Sequence, residues 1–176
     1  MQKLKNEELK RMSVEEFKNA DKTDIVIVLD NIRSMHNVGS IFRTADAFRI
    51  KKILLCGVTA CPPSKEIEKT ALGATETVEW EYFKNTVDAL CELKALKYKV
   101  HAIEQVKERV WLQNAYISDK SPKAFVFGNE VYGVSDDCLK FCDTVVEIPQ
   151  LGSKHSFNVA VSAGIILWEA LRSSFK

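Results

Sequence analysis

The chain has 176 residues, which suits one domain able to bury a core without disulfide or metal staples. Hydrophobic residues make up 46% and charged residues 28%, a composition typical of a soluble globular protein. The net charge of +1 excludes attachment to nucleic acid by bulk positive charge, although it permits a local basic patch. The glycines form neither a Gly-x-Gly-x-x-Gly pattern nor a P-loop, which excludes the common fingerprints for nicotinamide, flavin and nucleoside triphosphates.

The five cysteines are odd in number and include no Cys-x-x-Cys pair. The first residues are polar and lack the apolar core of a signal peptide, and the most apolar stretch, 165–168, is too short to span a bilayer. We therefore expect a cytoplasmic protein with reduced thiols. Cys138 and Cys142 lie one helical turn apart and could share a metal, but the three histidines are scattered, so we expect no metal site.

The first half of the chain alternates between helical and strand patterns. A loose apolar stripe predicts a helix over 6–19, and the solid apolar run 24–30 predicts a strand covered on both faces. Apolar residues at helical spacing predict a helix over 37–48 capped by Asn37, and 52–56 reads as a second buried strand.

Shorter elements follow. We expect a short helix over 66–72 closed by Gly73, and a short strand over 77–80. Asn85 can cap the next helix, whose Val87, Leu90 and Cys91 should face inward. Residues 98–103 read as a strand, and 105–120 as a loop region with a short piece of structure.

The last third has stronger signals. A strand is expected over 124–127, and Ser135 with two acids after it marks a helix start. Another strand over 144–148 stops at Pro149. The helix expected over 156–172 is apolar almost all round, so it requires burial on two sides, of which one is often a partner subunit.

This alternation predicts an α/β fold with a mainly parallel sheet and helices on both faces. We expect a single domain over 24–176, preceded by a helical extension over 1–23. Ligands in such sheets bind beyond the carboxyl ends of the strands. Attention therefore falls on the three loops that begin after residues 30, 127 and 148.

Each of these loops has unusual polar content. The first carries Asn37, Gly39 and Arg43, although a solvated basic helix face is an alternative reading. The second places Glu130 at a strand end, where it could accept hydrogen bonds from an arginine or a ribose, but a lone Glu in a turn is more often solvated. In the third loop, Lys154 helps to shape the turn, and Ser156, Phe157 and Asn158 stand at the start of the last helix.

In this order the three loops resemble the motifs of the SpoU/TrmH family of RNA ribose 2′-O-methyltransferases, within the SPOUT superfamily. The first motif is similar to Asn37-Val-Gly39 followed by Arg43, and the second to Phe127-Gly-x-Glu130-x-x-Gly133. The third resembles Ile148-Pro149 followed by Ser156-Phe157-Asn158. The resemblance covers roughly residues 24–172 and rests on three motifs in the right order.

The resemblance implies a C-terminal deep trefoil knot and a homodimer formed through the last helix. It implies that S-adenosyl-L-methionine binds in the knot without a metal, at the positions Ile103, Gly128, Ile148, Ser156 and Phe157. The family usually has Leu where this chain has Phe157. Many relatives also carry an added RNA-recruiting domain, whereas only about two dozen residues precede the first strand here.

The resemblance also assigns Arg43 to activation of the ribose hydroxyl. Because a guanidinium normally stays protonated, we expect it to orient the hydroxyl and stabilise negative charge. Asn37 and Glu130 are expected to hold Arg43 and the ribose, while Ser156 and Asn158 shape the catalytic site.

We expect Arg33, Arg43 and Lys154 to contact RNA, with tRNA as the first choice and rRNA as the second. Residues 31–52 carry five basic side chains against one acid, so a dimer could present two basic patches. The alternative is a catalytically inactive RNA-binding module of the same fold. An unrelated nucleotide-binding α/β domain is a third reading, weakened by the missing glycine fingerprint.

Overall fold

The computed structural model describes residues 3–9 and 11–175. Its centre is a seven-stranded sheet in the order β3-β2-β1-β6-β4-β7-β5. The strands are β1 Thr23–Asp30, β2 Ile50–Cys56, β3 Glu79–Phe83, β4 Lys99–Ile103, β5 Val110–Trp111, β6 Lys123–Gly128 and β7 Thr144–Glu147. All neighbouring strands pair in parallel, so all seven carboxyl ends lie along one edge of the sheet.

Helices cover both faces of this sheet. They are α1 Val14–Asn19, α2 Met35–Ala47, α3 Lys65–Ala71, α4 Ala74–Thr77, α5 Thr86–Ala95, α6 Asp136–Leu139 and α7 Val159–Leu171. Ile27 and Leu29 of β1 pack into the core beneath α2, α3 and α7, whereas Val26 and Val28 pack on the opposite side with α5 and α6. This alternation is what a strand buried on both faces requires, and the predicted mainly parallel α/β fold is confirmed.

Helix α2 begins two residues earlier than the sequence predicted. Ser34 is the N-cap, because its Oγ accepts a hydrogen bond from the main-chain N–H of Asn37 at 3.2 Å. Asn37 therefore lies inside the first turn, and its side chain is not used as the cap. Gly39 lies where α2 meets α3, since a Cβ added there would come within 2.2 Å of the Ile67 carbonyl oxygen.

Helix α7 begins three residues later than expected. Asn158 caps it, with Oδ1 accepting from the main-chain N–H of Ala160 at 2.9 Å, so Ser156 lies in the preceding loop. The buried side of α7 includes Ile166 and Leu167. Val161 and Trp168 remain about half exposed, so one of the two sides that were expected to be buried stays open in the single chain.

Three other predictions were wrong. Residues 6–19 form a 3-10 turn, Asn6–Leu9, and then α1, because Ser13 and Glu16 make a capping box that starts a separate helix; residue 10 lies outside the described residues. The strand expected over 77–80 begins at Glu79, after the short helix α4. Cys91 is exposed rather than directed inward.

Helix α1 packs against the core through an aromatic side chain. Phe17 of α1 is 5% exposed and belongs to the larger of the two hydrophobic clusters. None of the helices in the described ranges combines the length and the apolar character that a membrane crossing requires.

Candidate functional site

The carboxylate of Glu130 joins the loop after β6 to the start of α2. Oε2 accepts the main-chain N–H of Arg33, and Oε1 accepts the main-chain N–H of Ser34, each at 3.0 Å. Oε1 also accepts from the side-chain amide of Asn37 at 3.0 Å. An acid at the N-terminus of a helix is stabilised by the unpaired N–H groups and by the helix dipole. Glu130 therefore fixes the first turn of α2 against the sheet edge.

A second contact extends this arrangement to α7. The side-chain Nδ2 of Asn158 donates to Oδ1 of Asn37 at 3.1 Å. Because Asn37 also donates to Glu130, the three side chains form one hydrogen-bonded chain. Each of them comes from a different loop of the three that the sequence singled out.

The hydrogen bonds change the acidity of Glu130. Partial burial alone would raise its pKa, but hydrogen bonds, first from Arg33 and then from Asn37, lower the pKa below its ordinary value. Glu130 is therefore an ionised acceptor at neutral pH. A group held in this state orders its neighbours and is poorly suited to take up a proton.

A cavity of about 510 Å³ opens beside this chain of hydrogen bonds. Its volume lies within the range typical of small-molecule sites. All five positions that the family resemblance linked to the cofactor line the cavity: Ile103, Gly128, Ile148, Ser156 and Phe157. Glu130 and Asn158 are also in its wall, so the cavity and the hydrogen-bonded chain form one site.

The wall includes two further acids that sequence reasoning missed. Glu104 accepts the main-chain N–H groups of Gln105 at 2.7 Å and Val134 at 2.8 Å, and so ties the end of β4 to the loop after β6. Glu147 forms an ion pair with Arg109 at 2.7 Å. Both acids follow or end an apolar strand, which was the available signal in the sequence.

The turn after β6 approaches its own backbone very closely. A Cβ at Gly128 would lie 2.0 Å from the Gly133 carbonyl carbon and from the Val134 nitrogen. Asn129 and Gly133 exchange two main-chain hydrogen bonds, and Gly133 has a φ of 69°. Only glycine fits at Gly128 without moving this backbone, and it leaves main-chain groups accessible at the cavity wall.

Asp30 supports the same turn from below. It is 1% exposed at the end of β1, and its carboxylate accepts the hydroxyl of Thr86 at 2.6 Å and the main-chain N–H of Ser135 at 2.9 Å. The sequence pattern identifies Asp30 only as the end of a strand. A carboxylate closing an otherwise apolar strand was the signal for a buried positioning role.

Arg43 stands apart from this network. It is exposed on α2, outside the cavity wall, and among the described residues no hydrogen bond or ion pair reaches its side chain. Glu130 contacts the main chain before α2 rather than the Arg43 guanidinium, contrary to the expected contact. Arg33 lies beside Glu130 through its main chain, and Lys154 is exposed in the loop between β7 and α7.

The basic segment noted in the sequence is divided between two edges of the sheet. Arg33 lies at the carboxyl edge, whereas Lys51 and Lys52 lie near the start of β2. Lys51 pairs with Asp24 at 2.7 Å and Lys52 with Glu81 at 3.1 Å. The positive charge near the cavity is therefore smaller than the sequence count indicates.

The cysteines are all free. Burial raises the pKa of Cys56 and of Cys142 to about 12, which keeps both thiols protonated at neutral pH. Across the part of the chain that the structure describes, no three His, Cys, Asp or Glu side chains gather as a metal-binding group.

Comparison with known proteins identifies the class of this fold and site. The profile of the SpoU rRNA Methylase family matches residues 24–168, most of the chain. The chain belongs to this family. The match begins one residue into β1 and includes all three loops at the carboxyl edge.

Individual relatives act on two kinds of RNA. The chain is 29% identical to the tRNA (guanosine(18)-2'-O)-methyltransferase of Thermus thermophilus, over 96% of this chain and 85% of the relative. It is 32% identical to the 23S rRNA (guanosine-2'-O-)-methyltransferase RlmB of Neisseria meningitidis, over 89% of this chain and 61% of the relative. The AdoMet-bound rRNA methyltransferase of Sinorhizobium meliloti superimposes with a TM-score of 0.81 at 28% identity, over 91% of this chain and 61% of that one.

Proposed function

We propose that the protein is an S-adenosyl-L-methionine-dependent methyltransferase that modifies a ribose 2′-hydroxyl in structured RNA. One observation carries the proposal. The cavity at the carboxyl edge of the sheet is lined by residues of the second and third family motifs, and Asn37 of the first motif is hydrogen-bonded to both Glu130 and Asn158 in its wall.

The cavity suits this cofactor in size, backbone and charge. Gly128 contributes main-chain groups to the cavity wall, and the acids Glu104 and Glu130 favour a ligand that carries positive charge. The bound cofactor supplies a methyl group already activated on a sulfonium. Ile103, Ile148 and Phe157 offer apolar surface, while Ser156 adds a hydroxyl donor.

The protein then has two tasks, which are to align the hydroxyl and to provide for its proton. Glu130 and Asn37 hold the first turn of α2, and Arg43 projects from the same helix two turns further on. We assign Arg43 to the ribose hydroxyl as a protonated group that orients it and stabilises negative charge. Asn158 and Ser156 shape the other side of the site.

We propose tRNA as the substrate class, with rRNA second. The Thermus thermophilus tRNA enzyme matches this chain over 85% of its own length, against 61% for the Neisseria meningitidis rRNA enzyme. Arg33 and Lys154, both exposed near the cavity, are assigned to the RNA phosphates. The alternative, an inactive RNA-binding module, is disfavoured by the retained Arg43, Glu130 and Asn158.

Three architectural features complete the proposal. We place the trefoil knot in the C-terminal part of the chain. Two observations support this placement: β7 lies beyond β4 in the sheet, and α7 returns to pack on α2. We infer a homodimer through the exposed Val161 and Trp168 of α7. We place the domain boundary at residue 24, where the family match begins.

We also propose that the protein works in a reducing cytoplasm, because its five cysteines are free thiols.

The decisive experiment maps ribose 2′-O-methyl sites in RNA from cells with and without the protein. We expect one site to disappear and to return when the purified protein and S-adenosyl-L-methionine are added to that RNA. No changed site in either tRNA or rRNA would contradict the proposal.

A paired substitution tests the catalytic assignment. Arg43→Ala should abolish methyl transfer and leave the affinity for S-adenosylhomocysteine unchanged, because Arg43 lies outside the cavity wall. Arg49→Ala, at another exposed arginine close to the end of α2, is the matched control and should keep full activity. Full activity of Arg43→Ala would remove this residue from the mechanism.

A further inference from the structure

The loop after β6 holds its tip rigidly through the side chain of Asn129. Its Oδ1 accepts the main-chain N–H groups of Val131 at 2.9 Å and Tyr132 at 3.1 Å. Its Nδ2 donates to the carbonyl oxygen of Asn31 at 2.7 Å. With the two main-chain bonds between Asn129 and Gly133, the turn has little freedom left. Loops are generally more mobile than the elements they connect, so these contacts restrict a segment that would otherwise move.

This rigid tip carries two exposed apolar side chains. Val131 is 71% exposed and Tyr132 is 84% exposed, although both belong to the wall of the cavity at its mouth. Glu130, the residue before them, points instead towards α2. A fixed backbone that presents an unpacked aromatic ring at the mouth of a site contributes nothing to the folded core. It does provide a preorganised contact surface for a ligand.

We propose that the ring of Tyr132 is the platform on which an unpaired base of the RNA substrate stacks while the ribose enters the site. The inference rests on the proposed function and adds a residue for which the family motifs have no role. Proteins that read unpaired RNA stack its bases on exposed aromatic side chains, because every base offers a flat π-face.

The charges around the mouth fit this occupant. Arg33 and Lys154 are exposed cations on the two neighbouring loops, and the main chain of Arg33 is bonded to Glu130, next to Val131. Cations on loops next to an aromatic platform match a base that is flanked by its phosphates. A purely apolar partner would leave these charges unpaired.

The test compares Tyr132→Ala with Tyr132→Phe, which keeps the ring, and with Tyr116→Ala. Tyr116 is 92% exposed but lies outside the cavity wall, so it is a matched control for the loss of a surface tyrosine. Binding of unmodified tRNA transcripts is measured with S-adenosylhomocysteine present. A short single-stranded oligoribonucleotide containing one 2-aminopurine then reports stacking through quenching of its fluorescence.

We expect Tyr132→Ala to weaken RNA binding about 5- to 150-fold and to abolish the quenching. Tyr132→Phe and Tyr116→Ala should behave as the unchanged protein, and all variants should bind S-adenosylhomocysteine equally. Equal losses in Tyr132→Ala and Tyr132→Phe would overturn stacking in favour of a hydroxyl contact. Unchanged binding by Tyr132→Ala in a protein that methylates RNA would overturn this inference alone, whereas absence of RNA binding by the unchanged protein would overturn the proposed function as well.

Discussion

Asn158 donates a side-chain hydrogen bond to Asn37 across a separation of 121 residues. The same Asn158 caps α7 through its Oδ1, so one amide group starts a helix with its oxygen and joins two motifs with its nitrogen. This double use links the stability of α7 to the geometry of the site. Substitutions that keep only one of the two functions can separate them.

Replacing Asn158 by Ser or by Ala separates its capping of α7 from its contact with Asn37. Asn158→Ser keeps a good N-cap but loses the donor to Asn37, so the free energy of unfolding should change little while methyl transfer falls. Asn158→Ala loses both functions and should also destabilise the protein by about 1 kcal/mol. Urea unfolding and a methyl-transfer assay check the pair. Full activity in Asn158→Ser would show that the contact with Asn37 has no role in the reaction.

Glu130→Gln tests the need for a carboxylate. Each oxygen of Glu130 faces an N–H donor, so a Gln amide would place its own NH₂ group against a donor on one side. We expect methyl transfer to fall sharply with a smaller loss of cofactor affinity. Glu130→Asp, with the charge kept and the reach shortened, should retain more activity than Glu130→Gln if charge matters more than shape. The reverse order would contradict this reasoning.

The pH dependence of stability at Glu130 follows from its lowered pKa. Because the folded-state pKa lies below the unfolded value, its contribution is present at neutral pH and is lost as the pH falls through the folded pKa. Unfolding measured from neutral to acid pH should therefore show a smaller acid-dependent loss in Glu130→Gln. An identical loss in both proteins would show that these hydrogen bonds contribute no stability.

The methyl group added by Gly128→Ala should damage the site severely. Its Cβ would lie 2.0 Å from main-chain atoms of Gly133 and Val134. Because these neighbours are backbone atoms, no side chain can move aside to relieve the overlap. We expect loss of S-adenosylhomocysteine binding by calorimetry together with a lower Tm. Gly152→Ala is the matched control, since no atom lies within 4 Å of its added Cβ, and it should bind normally. Normal binding by Gly128→Ala would mean that this turn moves freely.

We expect His101 to be a second residue that makes stability sensitive to acid. The side chain is 3% exposed, and neither ring nitrogen has a hydrogen-bond partner in the described structure. Burial, aided by Lys99 and Lys123, lowers its pKa from 6.5 to about 4. The unfolded chain therefore binds the proton more readily between these values, and stability should fall by up to about 3 kcal/mol as the pH drops from 6.5 to 4.

His101→Leu should remove this part of the acid sensitivity. The free energy of unfolding, measured by urea titration, should depend less on pH than in the unchanged protein. At any one pH, the slope of this free energy against urea concentration should change little. Lys99→Met, which removes one of the two positive charges that lower the pKa of His101, should reduce the acid sensitivity by a smaller amount. An unchanged pH dependence in His101→Leu would show that other groups cause the acid loss.

The sequence predicted most of the sheet because its strands are short apolar runs bounded by polar residues. The strands over 24–30 and 124–127 could be predicted without tertiary information, because a strand buried on both faces is a nearly continuous apolar run. Predictions failed where a local cap overrode the periodicity, as Ser34 and Asn158 did at the starts of α2 and α7. The chain of hydrogen bonds through Asn37 could not be derived, because single motifs carry no information on which atoms meet.

The isolation of Arg43 was equally unpredictable. Arg43 follows Asn37 by six residues, under two turns of the predicted helix, but that spacing does not reveal whether Glu130 would turn to the guanidinium or to the main chain. The helix start decided the outcome, because its unpaired N–H groups at Arg33 and Ser34 are fixed donors close to Glu130.

The bond between Asn37 and Asn158 also makes the site a late product of folding. One end lies in α2 and the other at the start of α7, which packs against α2 and follows all seven strands in the chain. A nascent or truncated chain that ends before Asn158 therefore cannot complete the chain of hydrogen bonds or the cavity wall. During synthesis, chemistry on RNA becomes available only after nearly the whole chain has left the ribosome, so binding of the cofactor can serve as a readout of complete folding.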